Sequence, residues 1–258
     1  MATRDTAFET VEVLQDRIGF VEPLAERPME KRELVEELDV SRSTVDRATR
    51  ELENAGLVRY SDGSFELTSL GQTATAEFSG VLESIQLRQW LKPFLEWIPD
   101  SEFDAELEWF QDAELLVPEL GDPYSMINRH VNLIRETEYT RVVLPLCGLH
   151  AFEAVHQRVV DEGGRVKGIV TPSVAETTQS APGFAELTEE LIPTGRFEVS
   201  VYDDSIPYFL GLFEETVQIG VDEDGEPRAI LESDSKKVYK WAEQKYEEYD
   251  ERSTPVIP

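Results

Sequence analysis

Apolar residues in the first quarter of the chain recur at helical spacing, then give way to the alternation of a short hairpin. From about Phe8 to Val21, residues Val11, Leu14, Ile18 and Val21 recur at intervals of three and four, predicting a helix ended by Glu22 and Pro23. A second segment, Glu30 to Leu38, puts Leu34, Val35 and Leu38 on one face and is followed by a turn at Asp39 and Val40. Ser41 suits the N-cap of a third helix running to about Ala55, with Gly56 where a terminating glycine belongs. In that helix Val45, Ala48, Leu52 and Ala55 form one narrow stripe. Ser43, Asp46, Arg47, Arg50 and Asn54 fall roughly opposite, at about 100° per residue. Two short runs, Leu57 to Tyr60 and Phe65 to Thr68, flank Ser61-Asp-Gly-Ser64, a hairpin signal.

Further on, the spacing predicts one long helix from Gly71 to Pro99, carrying Phe78, Val81, Leu82, Ile85, Leu87 and Leu91. Pro93 is its expected kink and Pro99-Asp100 its stop. With Trp90, Phe94, Leu95 and Trp97 it is too apolar for a lone exposed connector, so it packs on its own C-terminal domain or on a second copy. A helix near Ala105 to Phe110 and turn-rich pieces at Val117-Pro118 and Gly121-Asp-Pro123 follow. The remainder has an α/β rhythm. A helix at Tyr124 to Arg135 precedes a buried strand at Arg141 to Leu146. A helix from His150 to Glu162 ends at Gly163-Gly164, before a strand at Arg165 to Val170, and such a unit is right-handed with parallel strands. A helix at Phe184 to Leu191 leads to strands at Phe197 to Tyr202, Tyr208 to Phe213, Thr216 to Val221 and Pro227 to Glu232, the last two joined by Asp222-Glu-Asp-Gly225. Ser233-Asp-Ser235 caps a final helix, Lys236 to Glu251, with Val238, Trp241, Ala242 and Tyr246 inward, and Ser253 to Pro258 reads as a frayed tail.

The expected fold is therefore α+β and multidomain: an N-terminal winged helix-turn-helix, a linker helix, and a C-terminal α/β sensor domain with a mixed sheet. The boundaries read as residues 1–70 for the DNA-binding domain, 71–118 for a helical linker or dimerisation region, and 119–252 for the effector or sensor domain. The chemistry of the third helix agrees. Arg42, Ser43, Thr44, Asp46, Arg47 and Arg50 carry the forks, hydroxyls and carboxylate that a major groove can use, while Arg59 and Ser64 belong to the wing. The expected partner is a double-stranded DNA operator, read by a homodimer.

Charge complicates this reading. The chain has 258 residues, with 53 acidic against 24 basic and a formal net charge of −29, the wrong sign for a polyanion partner. The acidic residues are spread throughout, a pattern that resembles the acidic proteins of extreme halophiles. In molar salt the Debye length shrinks to roughly 3 Å, so long-range repulsion from phosphates is screened and binding rests on short-range arginine contacts. A single cysteine, Cys147, excludes an intrachain disulfide. No apolar leader precedes the first helix and no apolar run approaches 18 residues, so the expectation is a soluble, cytoplasmic protein with no membrane partner.

No catalytic constellation emerges, so the chain is expected not to be an enzyme and to need no cofactor or metal. Cys147, His150 and His156 share one strand-to-helix corner, but His156 lies six residues past His150 and a fourth ligand is not apparent. His130-Val-Asn and His150-Ala-Phe lack the lysine of a phospholipase D motif, and Gly163-Gly164 is a helix stop rather than a phosphate cradle. Asp203-Asp204 reads as a solvated turn. What remains is a pocket outside the carboxyl ends of the strands, where Cys147, His150, Thr171, Ser173, Asp203 and Tyr208 are candidate contacts for a small-molecule effector.

Three stretches carry a family resemblance: Asp112-Ala-Glu-Leu-Leu-Val-Pro118 with Asp122-Pro-Tyr124, the strand-helix-strand unit, and the closing pattern from Gly220-Val-Asp-Glu-Asp-Gly225 to Tyr239-Lys-Trp-Ala-Glu243. Together with the N-terminal pattern they resemble haloarchaeal winged helix-turn-helix regulators. The C-terminal half of those proteins is similar to the middle domain of a methanogen filament regulator, distantly TrmB-like and related to phospholipase D-like effector domains. The resemblance covers nearly the whole chain and implies a one-component regulator. It implies no particular ligand. A winged-helix adaptor that binds protein, without sequence-specific DNA binding, is the alternative that the residues leave open.

Overall fold

In the computed structural model, residues 3–99, 102–122 and 124–257 are described, and the chain divides into two compact units, 1–86 and 87–258. Asp100 of the expected helix stop, Pro123 of the expected turn and Pro258 of the tail lie outside the described residues.

The N-terminal unit opens with α1 (Arg4–Glu26), which runs past the stop expected at Glu22-Pro23. Its backbone breaks instead at Arg17 (φ −123°, ψ 16°), and Pro23 sits inside the segment that follows. Phe20, Val21 and Leu24 of that segment are buried with Leu14, whereas Val11, expected inward, is 42% exposed. In α2 (Lys31–Leu38) the Glu33 carboxylate accepts from the Glu30 N–H at 2.7 Å, and Asp39 ends the helix in the left-handed region at φ 49°. Ser41 caps α3 (Arg42–Asn54) by accepting from the Thr44 N–H. Val45, Ala48 and Leu52 of α3 are fully buried, while Ala55 is a half-buried C-cap residue.

Strands β1 (Val58–Ser61) and β2 (Ser64–Leu67) pair antiparallel through a turn in which Asp62 and Gly63 both have positive φ, at 50° and 88°. That geometry matches the right-handed twist of a two-residue hairpin. The Thr68 hydroxyl donates to the Gly56 carbonyl at 2.6 Å and accepts from the Gly71 N–H at 3.0 Å, so it ties the hairpin to the first turn of α4 (Ser69–Trp90). Gly71 is required there: a Cβ would lie 1.9 Å from the Leu57 carbonyl oxygen. Farther along α4, Val81 and Ile85 are 55% and 47% exposed.

The helix expected to reach Pro99 stops at Trp90, and a short α5 (Lys92–Leu95) restarts with Pro93 in its first turn. The proline has no N–H to continue the preceding helix and fits where a new one begins. Residues of α4 up to Gln86 belong to the first unit, and from Leu87 onward to the second.

The second unit is built on an eight-stranded mixed sheet. Its strands are β3 (Glu114–Leu116), β4 (Tyr139–Leu144), β5 (Arg165–Val170), β6 (Phe197–Val201), β7 (Phe209–Phe213), β8 (Thr216–Glu223), β9 (Glu226–Ser233) and β10 (Thr254–Ile257), in the order β10-β6-β5-β4-β7-β8-β9-β3. The β4–β5–β6 core is parallel, as the strand-helix-strand pattern predicts, and the remaining pairs are antiparallel. On one face α10 (Lys236–Asp250) and α5 cover Val143, Ile169, Leu210, Val217 and Leu231, with Trp241 and Tyr246 of α10 buried. On the other lie α6 (Ser125–Glu136), α7 (Leu149–His156), α8 (Pro172–Ser180) and α9 (Phe184–Leu191), packed on Val142, Val166, Val170 and Val199.

Two expectations are corrected here, and two elements appear that the sequence reading did not place. The helix at Ala105 to Phe110 is a single 3-10 turn, Leu107–Phe110. The piece before Val117 contains β3, a three-residue edge strand paired with β9 and too short to show alternation. Pro172 starts α8, a helix the sequence reading did not place, because Thr171 caps it and proline suits a first helical turn. The tail expected to fray is β10, which satisfies the free edge of β6 and buries Ile257. The cap of α10 also differs in detail: the Ser235 N–H donates to the Ser233 hydroxyl, and the Ser235 side chain caps nothing. Among the described residues, no helix is long and apolar enough to cross a membrane.

Candidate nucleic-acid face and ligand cavity

The buried stripe of α3 leaves Arg42, Ser43, Thr44, Asp46, Arg47 and Arg50 all exposed, on one elongated surface of the N-terminal unit. Their partners sort them. Arg47 is held by Glu51 one turn on (3.0 Å), and Arg17 of α1 reaches the same carboxylate (2.6 Å). Bonds from Arg47 and then Arg17 keep the Glu51 carboxyl below the usual carboxylate range. Asp46 is engaged by Lys31, and Arg59 by Glu66 across the hairpin at 2.7 Å. Arg42 and Arg50 have no ion pair or hydrogen bond among the described residues, so their guanidinium forks are free for an external acceptor. Ser43 and Thr44 meet the Ser41 hydroxyl at 2.8 and 2.9 Å, which clusters three hydroxyls at the start of α3. Ser64, half-buried, donates to the Ser61 carbonyl and braces the hairpin tip. Tyr60 is 58% exposed on β1 and tilts against Phe65, an aromatic surface that the strand pattern alone did not single out.

The six candidate contacts of the C-terminal unit do not converge. Cys147 and His150 sit together at a cavity of about 420 Å³ between the sheet and α6, α7 and α8. Thr171 and Ser173 bond to each other at 3.0 Å, and Thr171 accepts from the Val174 N–H, so this pair caps α8. Asp203 is exposed beside Asp204, which pairs with Arg252. Tyr208 is 1% exposed in the core beneath α10, edge-on to Phe103, on the sheet face opposite Cys147. Tyr208 lies just before β7, and its neighbour Phe209, the first residue of that strand, is the one that lines the cavity. Burial pushes the Cys147 thiol up to about 12, which keeps it protonated. His150 faces Glu153 at 3.6 Å, and His156 pairs with Glu190 of α9 at 2.8 Å, so the three residues of the corner have separate partners. Among the described residues, no three His, Cys, Asp or Glu side chains group as metal ligands.

His130, in the cavity lining, ends a polar chain that sequence reading passed over. Arg129 of α6 forks onto Glu232 of β9; Gln218 of β8 donates to Glu232 at 2.7 Å; and His130 meets the Gln218 carbonyl oxygen through Nδ1 at 2.7 Å. Because the carboxylate accepts the Gln218 amide N–H, the carbonyl end faces His130, so Nδ1 carries the proton and Nε2 is the ring's acceptor. The imidazole stands edge-on to Phe209 and Phe213. Burial lowers the His130 pKa, against the opposing pull of the Gln218 bond and the Glu232 charge, and favours the neutral ring. The signal was available: Met126, His130 and Ile134 share the inward stripe of α6, and Gln218 alone among its strand's central residues is polar.

Residues 123–252 match the family model described as Methanogenesis regulatory protein FilR1, middle domain, and residues 6–89 match the HVO_A0261 N-terminal domain. No curated protein matches the chain. Among solved structures, TrmBL2, an archaeal chromatin protein, is 14% identical over 95% of this chain and 98% of its own, at a TM-score of 0.41. NucT from Helicobacter pylori is 16% identical over 56% of this chain and 98% of its own (TM-score 0.44). The phospholipase D family member Nuc from Salmonella typhimurium is 11% identical over 57% and 98% (TM-score 0.42). Scores at this level carry no functional argument.

Proposed function

The chain belongs to the family of the Methanogenesis regulatory protein FilR1 middle domain, and from that membership we propose that it is a transcription regulator that binds specific DNA sequences. In this reading the N-terminal unit is a winged helix-turn-helix, with α3 as recognition helix and the β1–β2 hairpin as wing. The C-terminal unit is the effector domain, and the protein acts as a cytoplasmic homodimer in a halophilic archaeon. The observation that carries the reading is the outer face of α3, where Arg42 and Arg50 stand unpaired beside the Ser43 and Thr44 hydroxyls.

Chemistry divides the labour on that face. Arg42 and Arg50 suit guanine edges or phosphates in a bidentate contact, and Ser43 and Thr44 suit either. Arg47 and Arg59 already satisfy carboxylates, so they contact backbone at the cost of releasing or sharing Glu51 and Glu66. Multimolar salt screens the acidic surface, which leaves short-range contacts to discriminate sequences. An effector in the C-terminal unit acts by shifting α4, whose residues are shared between the two units, and so the spacing of two recognition helices.

The test is quantitative footprinting on a selected operator in multimolar potassium chloride, with Arg42→Ala and Arg50→Ala beside wild type. Loss of protection by both variants supports the reading. Protection unchanged in both removes α3 from it, and no protection by the folded wild type favours the protein-binding adaptor.

A further inference from the structure

We propose that the cavity between α6, α7 and the sheet is a binding site for a neutral, mainly apolar small molecule that donates one hydrogen bond to His130 Nε2. At about 420 Å³ the cavity lies within the usual range of ligand sites and far above the voids left by ordinary packing. It has room for a two- or three-ring aromatic or an aliphatic molecule of similar bulk.

Three observations fix the chemical class. First, the lining is mostly aliphatic and aromatic, and it includes no lysine or arginine. The one carboxylate, Asp222, accepts from the Gly225 N–H across its own turn. His150, also in the lining, already faces Glu153, so an anion would find no free countercharge there, and a sugar would find too few partners for its hydroxyls. Second, His130 offers one directed acceptor. Its Nδ1 proton is committed to Gln218, no other hydrogen bond reaches the ring among the described residues, and the ring lines the cavity. Third, Gly168 lies in the middle of the lining face, paired with Val142 on one side and Val199 on the other. A Cβ there would meet Val142 and Val170 at 3.8 and 3.9 Å, ordinary contact distances. The missing side chain at Gly168 is therefore not forced by close backbone approach, and the room it leaves belongs to the cavity.

The inference stands apart from the DNA reading, because occupancy can be read on the full chain with no DNA present. The probe is 1-aminoanthracene, a neutral three-ring amine whose fluorescence rises in apolar surroundings, titrated into purified protein in molar potassium chloride. The expected result is saturable enhancement at one site per chain. 1-Naphthol, which keeps the donor, should displace the probe more strongly than 1-methoxynaphthalene, which lacks it, and the 1-naphthoate anion should fail to compete. Gly168→Leu fills the floor and should weaken probe binding by about tenfold or more. Ala151→Phe, a second cavity-lining change on the half-buried side of α7, should do the same and decides the matter if the strand variant does not fold. Absence of saturable binding to wild type, or wild-type binding by a folded cavity-filling variant, would overturn the site. Equal competition by 1-methoxynaphthalene would remove His130 from it.

Discussion

One unit carries its candidate chemistry on an exposed helix face, and the other carries it in its interior. In the N-terminal unit α3 buries Val45, Ala48 and Leu52 and turns its own proposed contacts outward, where arginines differ by whether a carboxylate already holds them. In the C-terminal unit the polar groups of interest point inward, and the Arg129–Glu232–Gln218–His130 chain runs from a partly exposed arginine to a histidine packed against Phe209 and Phe213. An outward site is tuned by competition with neighbouring ions and with salt. An inward site is tuned by shape and by which hydrogen-bond groups remain unused. The glycines show the same contrast: Gly71 is needed because backbone meets backbone, while Gly168 leaves space.

The largest expected effect breaks the scaffold of the outward site. Gly71→Val drives a side chain into the Leu57 carbonyl and should destabilise the N-terminal unit by about 3 kcal/mol, read as faster hydrogen exchange along α3. Next, Glu232→Ala strips the inward chain of its anchor. Glu232 is 8% exposed and leaves Gln218 without its acceptor, but Arg129 can reach solvent, so a loss of about 1–3 kcal/mol in denaturant unfolding is expected. Of similar size, Arg42→Ala and Arg50→Ala should each weaken operator binding by about 1–3 kcal/mol. Arg47→Ala and Arg59→Ala should cost less than about 1 kcal/mol, because each abandons a surface ion pair in order to bind.

A smaller effect depends on pH. The folded His130 pKa lies below its unfolded value, so below the ordinary histidine range the unfolded chain binds the extra proton and the folded one does not. Stability from this residue is complete above the unfolded pKa and falls as pH drops through it, at no more than about 1.4 kcal/mol per pH unit. Unfolding curves between neutral pH and the onset of carboxylate titration should show that slope in wild type and lose it in His130→Gln. The smallest effect is Gly168→Ala, expected within about 0.5 kcal/mol of wild type because the new methyl group meets only ordinary contacts.

How far each region could be read from sequence follows from the same contrast. The α3 stripe, its Ser41 cap and the Asp62-Gly63 turn are local signals, and each is where the spacing puts it. The break at Arg17 was hidden because Pro23 is the louder signal, and tertiary burial of Phe20 and Leu24 carries the helix past it. Strands β3 and β10 are edge pieces defined by the partner they bond, and nothing in three or four residues announces that partner. The strand-end rule for α/β sheets brought Cys147 and His150 to the cavity but also selected Thr171, Ser173, Asp203 and Tyr208, which serve as helix cap, exposed turn and opposite-face core. His130 and Gln218 were readable only by asking why a polar residue sits on an inward stripe, and their pairing across 88 positions depends on the sheet order.

Sequence-specific DNA recognition through α3 is the central claim, and selection of bound fragments from a random DNA pool in multimolar potassium chloride tests it most directly. Enrichment of an inverted repeat by wild type, lost in the Arg42→Ala, Arg50→Ala double variant, is the predicted result. A folded wild-type protein that enriches no sequence, or a double variant that enriches the same one, would contradict it.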